Sequence, residues 1–278
     1  MLLDLLKSLA RNIRRKPQRA GDELPIERLT RLKAAHERAP VAAHLDIVYG
    51  DLRVDGRALN ALLAECVEGS DVEIPPLKAF HRPLASYFLA RYFVHALGVE
   101  GARAECGVFQ GTSALFLCRA AQSRLPGYDG TGLHLIDSFE GLSRPGEEDQ
   151  FLTRATPDGP ATRRSLSQGY LAAPLERAQS ALRDFPGARF HRGWIPGVFA
   201  TLPQTRWSFV HLDLDLYAPT LASLEYFHPR LAHGGVIVCD DYGAETFPGA
   251  RRAWDRYCAL HDVSYVVLDT GQSVILKA

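Results

Sequence analysis

Short apolar runs alternate with amphipathic stretches from about residue 102 to residue 278, and several of the runs stop on an acid. Few folds accept that pattern. The strand candidates are ARAECGV (102–108), GLHLIDS (132–138), ARFHRG (188–193), WSFVHLD (207–213), GVIVCDD (235–241), SYVVLD (264–269) and QSVILKA (272–278). Between most of them lie segments with helical spacing: TSALFLCRAAQ (112–122), PLERAQSALRDF (174–185), PTLASLEYFHPRL (219–231) and GARRAWDRYCALH (249–261). Strands that read as continuous apolar runs are buried on both faces, and helices between them supply the cover, so the expectation is an α/β domain with a mainly parallel sheet. Only Thr270 and Gly271 separate the last two candidates. That spacing predicts a hairpin, so the final strand runs antiparallel to its neighbour.

Residues 1–80 read differently. GRALNALLAECV (56–67) has helical spacing, DVEIPP (71–76) breaks the chain, and PLASYFLARYFVHAL (83–97) opens a helix with proline in its first turn. The expected organisation is a helical N-terminal extension or cap over 1–80 and one α/β domain over 81–278. The start, MLLDLLKSLARNIRRKP, puts leucines before Arg11, Arg14, Arg15 and Lys16. A signal peptide has the reverse order. No run approaches the roughly 18 apolar residues of a membrane span. A basic amphipathic helix of this kind docks on protein or on a membrane surface, and docking on the chain itself or a partner copy is the reading adopted. Lys plus Arg equals Asp plus Glu at 32 each, so no basic excess points to nucleic acid. The five cysteines are odd in number and form no CxxC, which favours reduced thiols and a cytoplasmic setting.

Three further segments bear on chemistry. SRPGEEDQFLTRATPDGPATRRSLSQGY (143–170) is long, polar and rich in Gly and Pro; it is either a lid over an acceptor or a disordered excursion. AECGVFQGTS (104–113) reads as strand, tight loop, helix. Gly107 permits the turn, Gly111 opens a helix whose free N–H groups suit an anion, and Thr112 and Ser113 add hydroxyls. The loop is not GxGxxG, and Glu105 at its mouth repels a pyrophosphate but suits a ligand with a cationic group. A plain strand-to-helix turn is an equal reading. In LHLIDSFEGL (133–142), Asp137 ends the next strand, where an acid commonly takes a ribose diol, and Phe139 either covers a purine or packs in the core.

Asp213 ends one apolar run, and Asp240 and Asp241 end the next, 27 residues on. A crossover helix and a parallel strand fill that interval, so the two ends face one crevice. Three unpaired carboxylates there repel one another, and a hard divalent cation such as Mg²⁺ removes the repulsion. Local roles compete: Asp241 can cap a turn and Asp213 can accept backbone N–H groups. Asp215 shares the parity of Asp213 and either meets an acceptor or shapes the turn with Tyr217. His211 reads as a packed, hydrogen-bonded histidine rather than a base.

Taken in order, ECGVFQGTS, LIDSFEGL, FVHLDLDLYAPTL and LAHGGVIVCDDYG resemble class I S-adenosylmethionine-dependent methyltransferases. They resemble most closely the macrocin O-methyltransferase family of metal-dependent sugar O-methyltransferases, over roughly residues 80–278. The resemblance implies a Rossmann-like seven-stranded, mainly parallel sheet with an antiparallel last strand and helices on both faces. It implies that Glu105, Gly107 and Ser113 hold the methionine part of S-adenosylmethionine, with Phe109 and Gly111 in the same cofactor-binding loop. It implies that Asp137 binds the ribose, that Ser138, Phe139, Gly193 and Trp194 lie near the adenine, and that Asp213, Asp240 and Asp241 hold Mg²⁺. Catechol-type relatives place a lysine where this chain has Leu216, so the base differs; Asp213 is the expected proton acceptor and Asp215 the reserve. The expected acceptor is a hydroxyl of a small or glycosylated molecule, with a homo-oligomer possible. A non-catalytic or differently specific nucleotide-binding protein is the alternative.

Overall fold

The computed structural model of the chain describes residues 82–153 and 160–278. The expected extension over 1–80, with its basic start and its helix over 56–67, lies outside the described residues. The described chain opens with α1 (Arg82–Ala96), β1 (Ala102–Cys106), α2 (Thr112–Gln122) and β2 (Leu133–Asp137). A short antiparallel pair follows, β3 (Phe151–Leu152) and β4 (Arg163–Arg164), then α3 (Leu175–Ala181) and β5 (Arg189–Arg192). The second half runs β6 (Trp207–Leu212), α4 (Tyr217–Phe227), β7 (Leu231–Cys239), α5 (Pro248–His261), β8 (Val266–Val267) and β9 (Ser273–Leu276).

One sheet of seven strands results, in the order β5-β2-β1-β6-β7-β9-β8. The first five in that order are parallel, and β9 runs antiparallel to both β7 and β8. The expected hairpin is present. Its second arm slots between β7 and β8, an order no local pattern announces. The chain builds outward from β1 through β2 to β5, then restarts beside β1 with β6. That reversal opens a crevice at the carboxyl ends of β1 and β6, where open α/β sheets bind ligands.

Both faces are covered, which is why the strands read as unbroken apolar runs. On one face Phe93, Phe116 and Leu117 of the helices meet Leu135, Phe209 and Val238. On the other, Leu224, Phe227 and Trp254 meet Trp207, Val210 and Ile237. Aromatic pairs lock each layer edge to face: Phe93 on Phe209 at 5.1 Å and Trp207 on Phe227 at 5.0 Å between centroids. Each fully buried ring stabilises the fold by about 2–3 kcal/mol. α5 starts with Pro248 in its first turn and ends where Asp262 enters the left-handed region at φ 52°. Among the described residues no helix is long and apolar enough to cross a membrane. Cys106, Cys118, Cys239 and Cys258 are buried free thiols.

The segment over 143–170 is pinned where it is described. Leu142 N–H donates to the Tyr170 carbonyl (2.8 Å) and Gly169 N–H to the Leu142 carbonyl (2.9 Å), closing its neck. Buried Asp149 accepts from Gly146 N–H and from Tyr217 N–H, both at 2.7 Å. That second bond fixes the segment to the first residue of α4, four residues beyond Asp213.

On β2 and β5, His134 and His191 stack with centroids 5.1 Å apart. Thr201 Oγ1 donates to the Val198 carbonyl, so it accepts from His191 Nδ1, and His191 Nε2 must accept from His134 Nδ1 at 2.9 Å. The chain of donors holds only if His191, whose Nε2 must accept, is neutral. Burial first, then the charges of His191, Arg189 and Arg103, push His134 from 6.5 down to about 4. The folded state therefore resists a proton that the unfolded chain takes up below about pH 6.5, and stability present at neutral pH is lost as pH falls through that window towards 4. After allowance for solvent screening, about 1 kcal/mol should go between pH 7 and pH 5. Thermal melts at the two pH values should differ less for His134→Gln than for the unaltered chain; an equal difference would reject this account.

Candidate active site

The tips of the parallel strands are stitched one to the next. Gly193 N–H donates to the Asp137 carbonyl, Gly107 N–H to Ile136, Asp213 N–H to Cys106 and Asp240 N–H to Leu212, each at 2.9 Å. The ladder thus continues one residue past each strand. It sets Asp137, Gly107, Asp213 and Asp240 along the same edge of the sheet.

Glu105 is 0% exposed at the end of β1. Its Oε1 lies 2.9 Å from Nδ1 of His211, itself 1% exposed, and the two residues are Cα partners in the β1–β6 ladder. His211 Nε2 stands 3.6 Å from Asp240 Oδ1, an ion-pair separation rather than a hydrogen bond. Burial opposes a charge on His211, but its contacts with Asp240 and Glu105 outweigh burial and raise it well above the ordinary histidine range. His211 is the packed, bonded histidine the sequence suggested. What sequence reasoning missed is its partner: parity puts both side chains on one face, but only the pairing register brings them together.

Three buried polar atoms near the glycine loop have no hydrogen-bond partner among the described residues: Glu105 Oε2, Gln110 Oε1 and Thr112 Oγ1. An unpaired buried polar group costs roughly 1–3 kcal/mol. A ligand that brings donors, and a cationic group for Glu105, would satisfy them, so these residues fit the ammonium of a methionine moiety. The glycines serve packing as much as approach. A Cβ on Gly107 (φ +89°) would lie 1.8 Å from the Asp213 carbonyl oxygen, and one on Gly111 (φ +84°) would lie 3.1 Å from Ala178 Cα in α3.

Asp137 is occupied by its own backbone surroundings. Oδ2 accepts from Val108 N–H (2.7 Å) and Phe109 N–H (2.9 Å), and Oδ1 accepts from Phe139 N–H (2.6 Å). Buried Ser138 shapes the turn, accepting from Glu140 N–H and donating to the Gly141 carbonyl. Phe139 is buried, with its ring 6.4 Å from that of Phe190. Trp194 beside Gly193 is 38% exposed at the rim.

The acids fall into two overlapping groups whose ligand atoms lie within 4.8 Å of one another: His211, Asp213 and Asp240, and Asp213, Asp215 and Asp241. Asp213 belongs to both. The expected metal trio of Asp213, Asp240 and Asp241 is thereby split, and Asp215 joins Asp241. β6 ends at Leu212, Asp215 takes φ +62°, and its N–H donates to Asp241 Oδ2 at 2.9 Å. Burial, then the charges of Asp215, Asp213 and Asp240, push the Asp241 carboxyl well above the ordinary carboxylate range. A cation of the Mg²⁺ type fits this all-oxygen donor set and relieves that repulsion. Gln272, unremarked in the sequence, leaves the turn before β9 to donate to Asp240 Oδ1 at 2.8 Å.

The model of the macrocin O-methyltransferase (TylF) family matches residues 89–272. The chain belongs to that family. Among curated relatives it is 32% identical to the 8-demethyl-8-(2,3-dimethoxy-alpha-L-rhamnosyl)-tetracenomycin-C 4'-O-methyltransferase of Streptomyces olivaceus, over 55% of this chain and 57% of that one. It is 27% identical to the mycinamicin III 3''-O-methyltransferase of Micromonospora griseorubida, over 62% and 66%. The aligned part is thus less than two thirds of either relative. Among solved structures, the O-methyltransferase NovP shares the fold at TM-score 0.59 and 19% identity, over 90% of this chain and 99% of that one. The calicheamicin methyltransferase CalS11 does so at 0.58 and 19%, over 94% and 99%. Within this member of the macrocin O-methyltransferase family, the acids and the glycine loop meet at the switch point of a seven-stranded sheet.

Proposed function

We propose that this chain is an S-adenosylmethionine-dependent O-methyltransferase. Its acceptor is a hydroxyl of a sugar carried on a small secondary metabolite. The observation that carries this reading is the meeting of two features at one sheet edge: a carboxylate cluster centred on Asp213, and a glycine loop with unpaired buried oxygens beginning at Glu105.

When bound, S-adenosylmethionine supplies a sulfonium-activated methyl group for direct transfer to oxygen. When bound, Mg²⁺ supplies positive charge that makes a nearby hydroxyl more acidic. The residues that would hold the ion are Asp213, Asp215 and Asp241, with Asp240 flanking. Glu105 Oε2 takes the ammonium of the methionine part, and Phe109, Gly111 and Ser113 wall the cofactor beside Gly107. Ser138 and Phe139 shape the wall towards the adenine, and Trp194 next to Gly193 closes the rim. Asp213 accepts the proton of the acceptor hydroxyl, with Asp215 the alternative. His211 keeps Glu105 and Asp240 oriented from beneath. The described parts of the polar segment, 143–153 and 160–170, would flank the acceptor, anchored by Asp149. Most of the acceleration comes from orientation and charge placement.

Calorimetric titration of S-adenosylmethionine into the full chain, with Mg²⁺ and then with chelator, tests the reading. Binding is expected in both. Mg²⁺ should add a heat that vanishes in an Asp240→Ala/Asp241→Ala double variant. Absence of cofactor binding in both conditions would overturn it.

A further inference from the structure

The residues around Asp137 do not look like a free ribose ligand. A carboxylate offers about four acceptor positions. Three are filled by the N–H groups of Val108, Phe109 and Phe139. Two of those three donors belong to residues in the left-handed region: Phe109 at φ 50° and Phe139 at φ 59°. A bulky L-residue there is held against its own preference, and such a conformation persists only where the surroundings over-determine it. Asp137 is what binds both. Each Phe stands two residues before a glycine that also takes positive φ: Phe109 before Gly111 (φ 84°) at the start of α2, and Phe139 before Gly141 (φ 83°). The carboxylate spans the gap between β1 and β2 and fixes the two turns relative to each other.

Resting on the S-adenosylmethionine reading, we propose that Asp137 is a positioning residue: it staples the two strained turns that frame the cofactor pocket, and holding the ribose is not its principal task. A carboxylate suits this task because all its positions accept. In Asp137→Asn one oxygen becomes an NH₂ that confronts backbone donors, so at least one staple bond is lost while shape is kept.

Two readouts decide the matter. Amide hydrogen exchange on the cofactor-free chain should show loss of protection at Val108, Phe109 and Phe139 in Asp137→Asn. Unchanged protection there would overturn the proposal whatever the protein binds. Calorimetry with S-adenosylhomocysteine and with analogues lacking one or the other ribose hydroxyl gives a double-mutant cycle. Asp137→Asn should weaken all three ligands by the same factor, roughly tenfold or more. If removing a hydroxyl weakens binding to the unaltered chain as much as Asp137→Asn does, and the two losses do not add, Asp137 is a ribose ligand and the proposal fails. If the unaltered chain binds none of the three, the cofactor reading fails instead, and hydrogen exchange alone rules on the staple.

Discussion

Asp213→Asn is expected to lower methyl transfer by about a thousandfold, the scale seen when one charged or hydrogen-bonding group aimed at the reacting atoms is removed. Asp213 is the one acid shared by both ligand groups. Its loss therefore weakens cation binding and removes the proposed proton acceptor together. Its backbone is fixed independently, through the N–H bond to Cys106, so the isosteric amide should leave the sheet edge intact. Turnover is read as S-adenosylhomocysteine release with whichever glycosylated acceptor supports it in the unaltered chain. Calorimetry should show S-adenosylmethionine affinity within about threefold of the original, a difference below 1 kcal/mol. Normal turnover would remove the carboxylate mechanism. A matching loss of cofactor affinity would mean that Asp213 serves binding instead.

Gly107→Ala should produce the largest loss of stability of any methyl-sized change near the site. The added Cβ would fall 1.8 Å from a carbonyl oxygen and 2.8 Å from its carbon, both backbone atoms of Asp213. No side chain can swing aside to admit it. The left-handed φ of +89° adds a further cost of about 1–2 kcal/mol for a residue with a Cβ. With overpacking of about 1–3 kcal/mol, the sum is about 2–5 kcal/mol and the melting temperature should fall by roughly 4–20 °C. Gly111→Ala, whose Cβ would meet Ala178 at 3.1 Å, should fall by less. Calorimetric melts of the two variants check the order. A Gly107→Ala chain that melts with the original would mean that β1 and β6 do not end against each other as described.

The strands and helices that carry the site were legible because burial on both faces writes long apolar runs. TSALFLCRAAQ is α2 to the residue, and WSFVHLD ends one residue beyond β6. SYVVLD shrank to Val266–Val267, both exposed at the sheet edge, where propensity without burial does not sustain a strand. The acids were found because charge is rare at the ends of apolar runs. Their grouping was not. Alternation along an extended strand treats Asp213 and Asp215 as equivalent, whereas Asp215 leaves the strand at positive φ and turns to Asp241. Gln272 and Asp149 carried no signal, since their partners lie 32 and 68 residues away in the chain.

The Glu105–His211 pair bears on how the sheet finds its alignment. Every residue of β6 is buried, so sliding that strand by one position against β1 would still bury apolar side chains on both faces. Hydrophobic patterning therefore specifies the alignment weakly. The polar pair does not tolerate the slip. A shift of one residue sends His211 to the opposite layer and leaves Glu105 enclosed without its histidine, a penalty of about 3–5 kcal/mol. Closing the intervening loop of about 100 residues costs roughly 4 kcal/mol in entropy, so a misaligned encounter gains too little to persist. The two residues buried beneath the glycine loop also proofread the central seam of the sheet.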